Sequence, residues 1–170
     1  MKRFIKQHII YVITFLAACN YSTPETYLIP NGFQGRVNII FNKPNTDYTP
    51  IENGRRVYRI PGNGILLTRS RYESGGFINH DFYYLNSMGD KTPLKIFKYV
   101  YENNGNTHWV VEDSVVVGIF EDGTVGSYPG REVVYEDFVV SSFKNLKKYN
   151  SQSANDSFRN QVDNAVYLNH

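Results

Sequence analysis

Cysteine is nearly missing from this chain: Cys19 is the only one in 170 residues. No disulfide can form within it, so an oxidising compartment leaves no covalent mark and the fold must rest on its core. Long apolar runs are missing as well. The stretch from Ile9 to Ala18 holds ten uncharged residues, where about 20 are needed to cross roughly 30 Å of hydrocarbon. Strong charge of either sign is absent: 18 basic residues stand against 16 acidic ones. Three bases precede Cys19 and all the acids follow it, so the part from Cys19 onward carries 15 against 16, or −1. A nucleic-acid binder would show a basic patch or motif, and no nucleic-acid partner is expected. There is no Gly-x-Ser-x-Gly elbow and no glycine-rich loop opening a helix. His80, His108 and His170 lack the spacing of a zinc site. No metal and no cofactor are expected, and no catalytic residue is assigned.

What is present begins with an address. Lys2, Arg3 and Lys6 precede the apolar stretch, and Ala17 and Ala18 close it, which is the three-part layout of an export signal. Ordinary cleavage after Ala18 fits poorly, because Leu16 stands where a small residue is wanted. Leu16-Ala17-Ala18-Cys19 resembles the lipobox of bacterial lipoproteins. That resemblance implies a signal peptide over 1–18, lipidation of Cys19, and a tether over 19–26. Two or more acyl chains, at about 0.8 kcal/mol per buried methylene, make a stable anchor. Asn20, with no acidic cluster after it, resembles the sorting pattern for the outer membrane, with the domain facing the periplasm. The plainer alternative is a cleaved, secreted protein with one free thiol.

Residues 27–170 suit one domain, since a chain of about 150 residues buries close to 70% of its unfolded surface. Turn dipeptides recur: Asn31-Gly32, Asn53-Gly54, Asn63-Gly64, Asn104-Gly105 and Asp122-Gly123. Such pairs favour tight hairpins. Between them lie short segments rich in β-branched and aromatic residues; Val37, Ile39 and Phe41 alternate with Arg36 and Asn38, the pattern of a half-buried strand. The expected fold is mainly β, an antiparallel β-sandwich or partly open barrel. Ser153 and Asp156 resemble a capping box, and one C-terminal amphipathic helix is expected over 154–167, with a shorter helical turn over 143–149.

The stretches YLIPNGFQGRVNIIF (27–41) and NGRRVYRIPGNGILLT (53–68) resemble an uncharacterised family of bacterial extracytoplasmic domains, and VVYEDFVVSSFK (133–144) is similar to its closing strand. The resemblance implies an envelope β domain with no activity to carry over. Pro30 and Pro61 suit strand ends, so the motif reads as fold-making.

Three acid pairs, Glu112-Asp113, Glu121-Asp122 and Glu136-Asp137, raise glycoside hydrolysis, which holds two carboxylates about 5 to 10 Å apart. Adjacent strand residues point to opposite faces, so solvated acids are expected, with Asp113 near Trp109 the one to watch. The histidines are expected at the surface or in turns; His80-Asp81 could join a serine such as Ser74 or Ser141 only through folding. Arg55, Arg56 and Arg59, with Arg69 and Arg71, could form an anion-binding edge if strands 56–60 and 65–68 make a hairpin. Outward arginines paired with acids are the plainer account. Tyrosine is abundant, at 14, as on many β surfaces. The combined reading is a membrane-anchored cell-envelope lipoprotein acting as a non-enzymatic binding or interaction module, with an envelope protein or glycan as partner. The alternatives are an envelope hydrolase acting on glycan or peptide, and a structural subunit of an envelope complex.

Overall fold

The computed structural model describes residues 22–73, 79–98, 114–121, 125–128 and 131–150, with six further positions between 153 and 164. Residues 1–21, the acid pair Glu112-Asp113, Trp109, His108, His170 and Ser74 lie outside the described residues. The described chain is mainly β, in two mixed sheets with no closed barrel. The first sheet contains β1 (Glu25–Pro30), β3 (Ile51–Glu52), β4 (Arg55–Arg59), β6 (His80–Leu85) and β7 (Lys91–Pro93), in the order β3-β4-β1-β6-β7. The second contains β2 (Gly35–Ile40), β5 (Ile65–Leu67), β8 (Lys95–Lys98), β9 (Val115–Glu121) and β11 (Arg131–Ser142), in the order β5-β2-β11-β9-β8. β10 (Val125–Tyr128) also pairs with β11.

The sheets face each other across a core to which both contribute. Tyr27, Ile29, Tyr58 and Phe82 come from the first, and Val37, Ile39, Val117, Phe138 and Val140 from the second. That makes a sandwich, as expected. Its pairing is a correction, because the sheets are mixed and not antiparallel: β1 runs parallel to β4 and β6, β2 to β5, and β8 to β9.

For β1 with β4 and β2 with β5 the cause lies in two turns. β1 leaves the first sheet through Asn31-Gly32 and enters the second as β2, while β4 leaves through Pro61 to Gly64 and enters as β5. Two corners therefore stack side by side, and their strands run the same way in both sheets. The corners share a pattern, Tyr27-Leu28-Ile29-Pro30 and Tyr58-Arg59-Ile60-Pro61, with Tyr27 directly beside Tyr58 in the register. Proline cannot donate to a ladder and suits the strand end. Gly64 sits at φ 77, and an added Cβ would lie 2.5 Å from the Arg36 carbonyl oxygen. Only glycine lets the two corners approach that closely. Asn53-Gly54, by contrast, does close a tight hairpin: φ is 51 and 75 at its two residues, and Glu52 pairs with Arg55.

Strand β2 and the adjoining part of β11 are buried on both faces, so the expectation of a half-buried β2 fails: Asn38 is buried along with Val37 and Ile39. On the outer face Val116, Val139 and Leu146 form a smaller core with Phe97, Phe143 and Tyr149. Leu146 and Phe143 belong to a 3-10 helical segment, Phe143–Asn150, close to the helical turn the sequence predicts. Ser153, Asp156, Ser157, Asn160, Gln161 and Asn164 are helical and exposed, at the spacing of one helix face. The remainder of the expected helix lies outside the described residues.

Candidate functional site

Three parallel strands put like rows of side chains on the inner face of the first sheet. Register places Glu25 between Arg56 and His80, and two residues on it places Tyr27 between Tyr58 and Phe82. Strand residues two apart share a face, so a polar row lies directly behind an aromatic one at one end of the sandwich. The aromatic row is stacked: the Tyr27 ring is 5.0 Å from Tyr58 and 4.5 Å from Phe82. Phe138 of β11 meets Tyr27 edge-on at 5.3 Å. Two residues before Phe138, on the same face, Glu136 reaches across from the second sheet.

These rows converge on one hydroxyl. Tyr27 Oη lies 2.6 Å from Glu25 Oε2, 2.7 Å from Glu136 Oε1 and 3.1 Å from His80 Nδ1. The Tyr58 hydroxyl donates to the other oxygen, Glu25 Oε1, at 3.0 Å. Glu25 is 5% exposed and Glu136 6%, and the His80 side chain 12%. His80 stacks against both Tyr27 and Phe82, which fixes the plane of its ring and turns Nδ1 toward Glu25, 3.5 Å from Oε2. The Glu25, His80 and Glu136 donor atoms all lie within 4.8 Å of one another.

Burial and two adjacent carboxylates both disfavour a phenolate. The Tyr27 hydroxyl is accordingly pushed well above its ordinary range, by burial first and then by Glu136 and Glu25. Tyr58 is raised for the same reasons, with the Arg56 guanidinium opposing. Arg56 is itself engaged by Glu73.

No functionally curated protein matches this sequence. A family model, described as a family of unknown function, matches residues 21–152. The chain belongs to the DUF6843 family. A solved structure similar to it is a Bacillus anthracis crystal structure named "Putative Lipoprotein", with a TM-score of 0.58 and 17% identity. The match covers 87% of this chain and 99% of that one, a likeness of fold. The DUF6843 match spans every strand that supplies the cluster.

The acid and histidine expectations need correction here. Glu136 and Asp137 do point to opposite faces, but neither is solvated: Glu136 joins Tyr27, and Asp137, 1% exposed, forms an ion pair with Arg36 on the outer face. His80 is not a surface histidine. Its neighbour Asp81 pairs with Arg55 on the other face of the first sheet, and Ser141 lies on the face of β11 opposite Glu136, so His80, Asp81 and Ser141 form no triad.

The five arginines are also placed. β4 and β5 lie in different sheets, so the hairpin that the expected anion edge requires does not form. Arg55 engages Asp81, Arg56 engages Glu73, and Arg59 engages Glu52 at 3.1 Å. Arg69 sits over the Tyr48 ring at 5.3 Å, and the Arg71 carbonyl accepts from Arg56. An anion at the first three must compete with a protein carboxylate.

The sequence patterns above do not single out Glu25, Tyr27 and Tyr58. A signal existed: Glu-Thr-Tyr, Arg-Val-Tyr and His-Asp-Phe each place a charged or titratable residue two positions before an aromatic one, and those segments became the three parallel strands.

Proposed function

We propose that this protein is a lipid-anchored component of the bacterial cell envelope that acts by binding and not by hydrolysis. Acylation at Cys19 tethers the domain, with the outer membrane as the expected address. The observation that carries this reading is how soon after Leu16-Ala17-Ala18-Cys19 the chain becomes fixed. The Thr23 amide donates to Glu73, the Pro24 carbonyl accepts from the Arg56 amide, and β1 starts at Glu25, two residues inside the expected tether. Four residue steps span at most about 14 Å. The anchored domain is therefore held with the starts of β1, β4 and β6 toward the lipid. The name of the similar Bacillus anthracis structure supports the lipid anchor alone.

What favours binding over glycan hydrolysis is the closure of the Glu25 and Glu136 pair, the acids that meet in the core among the described residues. Glu25 and Glu136 are separated by less than 4.8 Å, near the roughly 5 Å of a retaining glycosidase. The Tyr27 hydroxyl fills that gap, and both acids are buried, so no glycosidic oxygen can lie between them.

Membrane fractionation with labelled palmitate tests the anchor. Wild-type protein is expected in the membrane fraction carrying label, and Cys19→Ala is expected to lose the label and keep its uncleaved signal. Unchanged labelling of Cys19→Ala would sink the anchor. Sedimentation with outer-membrane markers is the outcome expected for the address.

A further inference from the structure

The Tyr27 hydroxyl carries one hydrogen and is approached by three acceptor-capable atoms, two of them carboxylate oxygens at 2.6 and 2.7 Å. A phenol can donate to only one. The other short oxygen contact requires either a carboxyl proton or a cation between the groups, because two unshared carboxylates and a phenol oxygen this close repel.

We propose that Glu25, His80 and Glu136 form a binding site for one divalent metal ion of the zinc class. Three features of the geometry support a cation. The donors are one imidazole nitrogen and two carboxylate oxygens, a mixed set that suits zinc and its neighbours better than magnesium or calcium, which prefer all-oxygen shells. One ligand spacing also fits, and the Glu136 oxygen lies within 4.8 Å of the other two donors. Ligands at about 2.0 to 2.1 Å in a tetrahedron stand roughly 3.4 Å apart, and Glu25 Oε2 is 3.5 Å from His80 Nδ1. Finally, the supporting contacts exist before any ion arrives. Tyr58 holds Oε1 of Glu25 at 3.0 Å, leaving Oε2 turned inward, and the stack of His80 on Tyr27 and Phe82 fixes the imidazole. Such outer contacts orient ligands and tune affinity. The partly exposed His80 edge provides access, and Arg56 beside the site is neutralised by Glu73.

Entry of the ion requires the Tyr27 oxygen to give up its hydrogen bonds to the two carboxylates, either by backing away or by releasing its proton to the solvent buffer and becoming the fourth ligand. Glu25 and His80 belong to the first sheet and Glu136 to the second, so the ion ties the two sheets together. The site is independent of lipid anchorage.

The test uses the full chain in detergent, stripped of metal by a chelator and carrying Cys19→Ala so that the thiol cannot bind zinc. Calorimetric titration with zinc ion in two buffers of different ionisation enthalpy is expected to show one site per chain. A rise in thermal midpoint with zinc concentration follows if the ion binds only the folded state. His80→Ala and Glu136→Gln are each expected to weaken binding at least tenfold, and His108→Ala and His170→Ala to leave it unchanged. X-ray absorption of the zinc-loaded chain is expected to show a first shell of nitrogen and oxygen with no sulfur and the outer-shell scattering of one imidazole, a readout that stands even if a variant fails to fold. No saturable binding, or binding untouched by His80→Ala, overturns the proposal and leaves a shared carboxyl proton as the group that closes the site.

Discussion

The Tyr27 hydroxyl meets Glu25, Glu136 and His80 in the core, and its protonation is tied to folding. Tyr27 and Tyr58 hold their protons more tightly folded than unfolded, where a tyrosine ionises near pH 10. Below about pH 10 both states keep the protons and stability is unaffected. Above it the unfolded chain binds fewer protons than the folded one, so stability falls as pH rises, by about 1.4 kcal/mol per pH unit for each such tyrosine. Urea midpoints measured from pH 9 upward should fall steeply beyond pH 10, and Tyr58→Phe should show a shallower descent than wild type. An identical slope in the variant would mean that Tyr58 ionises normally in the fold.

Among elements, the paired corners decide the topology. Each turns a strand out of the first sheet and into the second, and the second corner depends on Gly64, whose α-carbon accepts no side chain without strain. Gly64→Ala puts a methyl group against the Arg36 carbonyl at positive φ, and a destabilisation on the order of 2–3 kcal/mol is expected in denaturant unfolding. Gly54 also has positive φ, at 75, but nothing lies within 4 Å of an added Cβ. Gly54→Ala should therefore cost clearly less, about 1 kcal/mol. Equal losses at both positions would show that φ alone matters and that the close approach of the corners does not.

For the whole molecule, the question is what couples two sheets that share no backbone hydrogen-bond ladder among the described residues. Aromatic packing contributes, with Phe138 set edge-on to both Tyr27 and Phe82. The Tyr27 to Glu136 contact adds a directional link across the core. A double-mutant cycle between Tyr27→Phe and Glu136→Gln, read by urea unfolding, should give a coupling energy of about 1–3 kcal/mol. Additive losses would place the two side chains in separate networks. On the outer face the Arg36 to Asp137 pair forms another link, within the second sheet, between β2 and β11. Removing one partner of a buried pair leaves the other charge uncompensated, and Asp137→Asn should be among the more destabilising single substitutions.

The β class, the positions of most strands and the strand-ending roles of Pro30 and Pro61 were legible in the sequence, because alternation, β-branching and the missing proline amide act within a few residues. The local conformation of Asn53-Gly54 was legible for the same reason. Whether a turn joins neighbours in one sheet or carries the chain to the other is decided by where the flanking apolar faces find partners, so Asn53-Gly54 makes a hairpin and Asn63-Gly64 a corner. The site was hidden by the same nonlocality: Glu25, His80 and Glu136 are scattered along the chain and meet only through parallel register and the facing of two sheets. Residue types fixed what chemistry was available; the tertiary structure alone decided which groups share a hydroxyl, because burial and proximity are properties of packing and not of order along the chain.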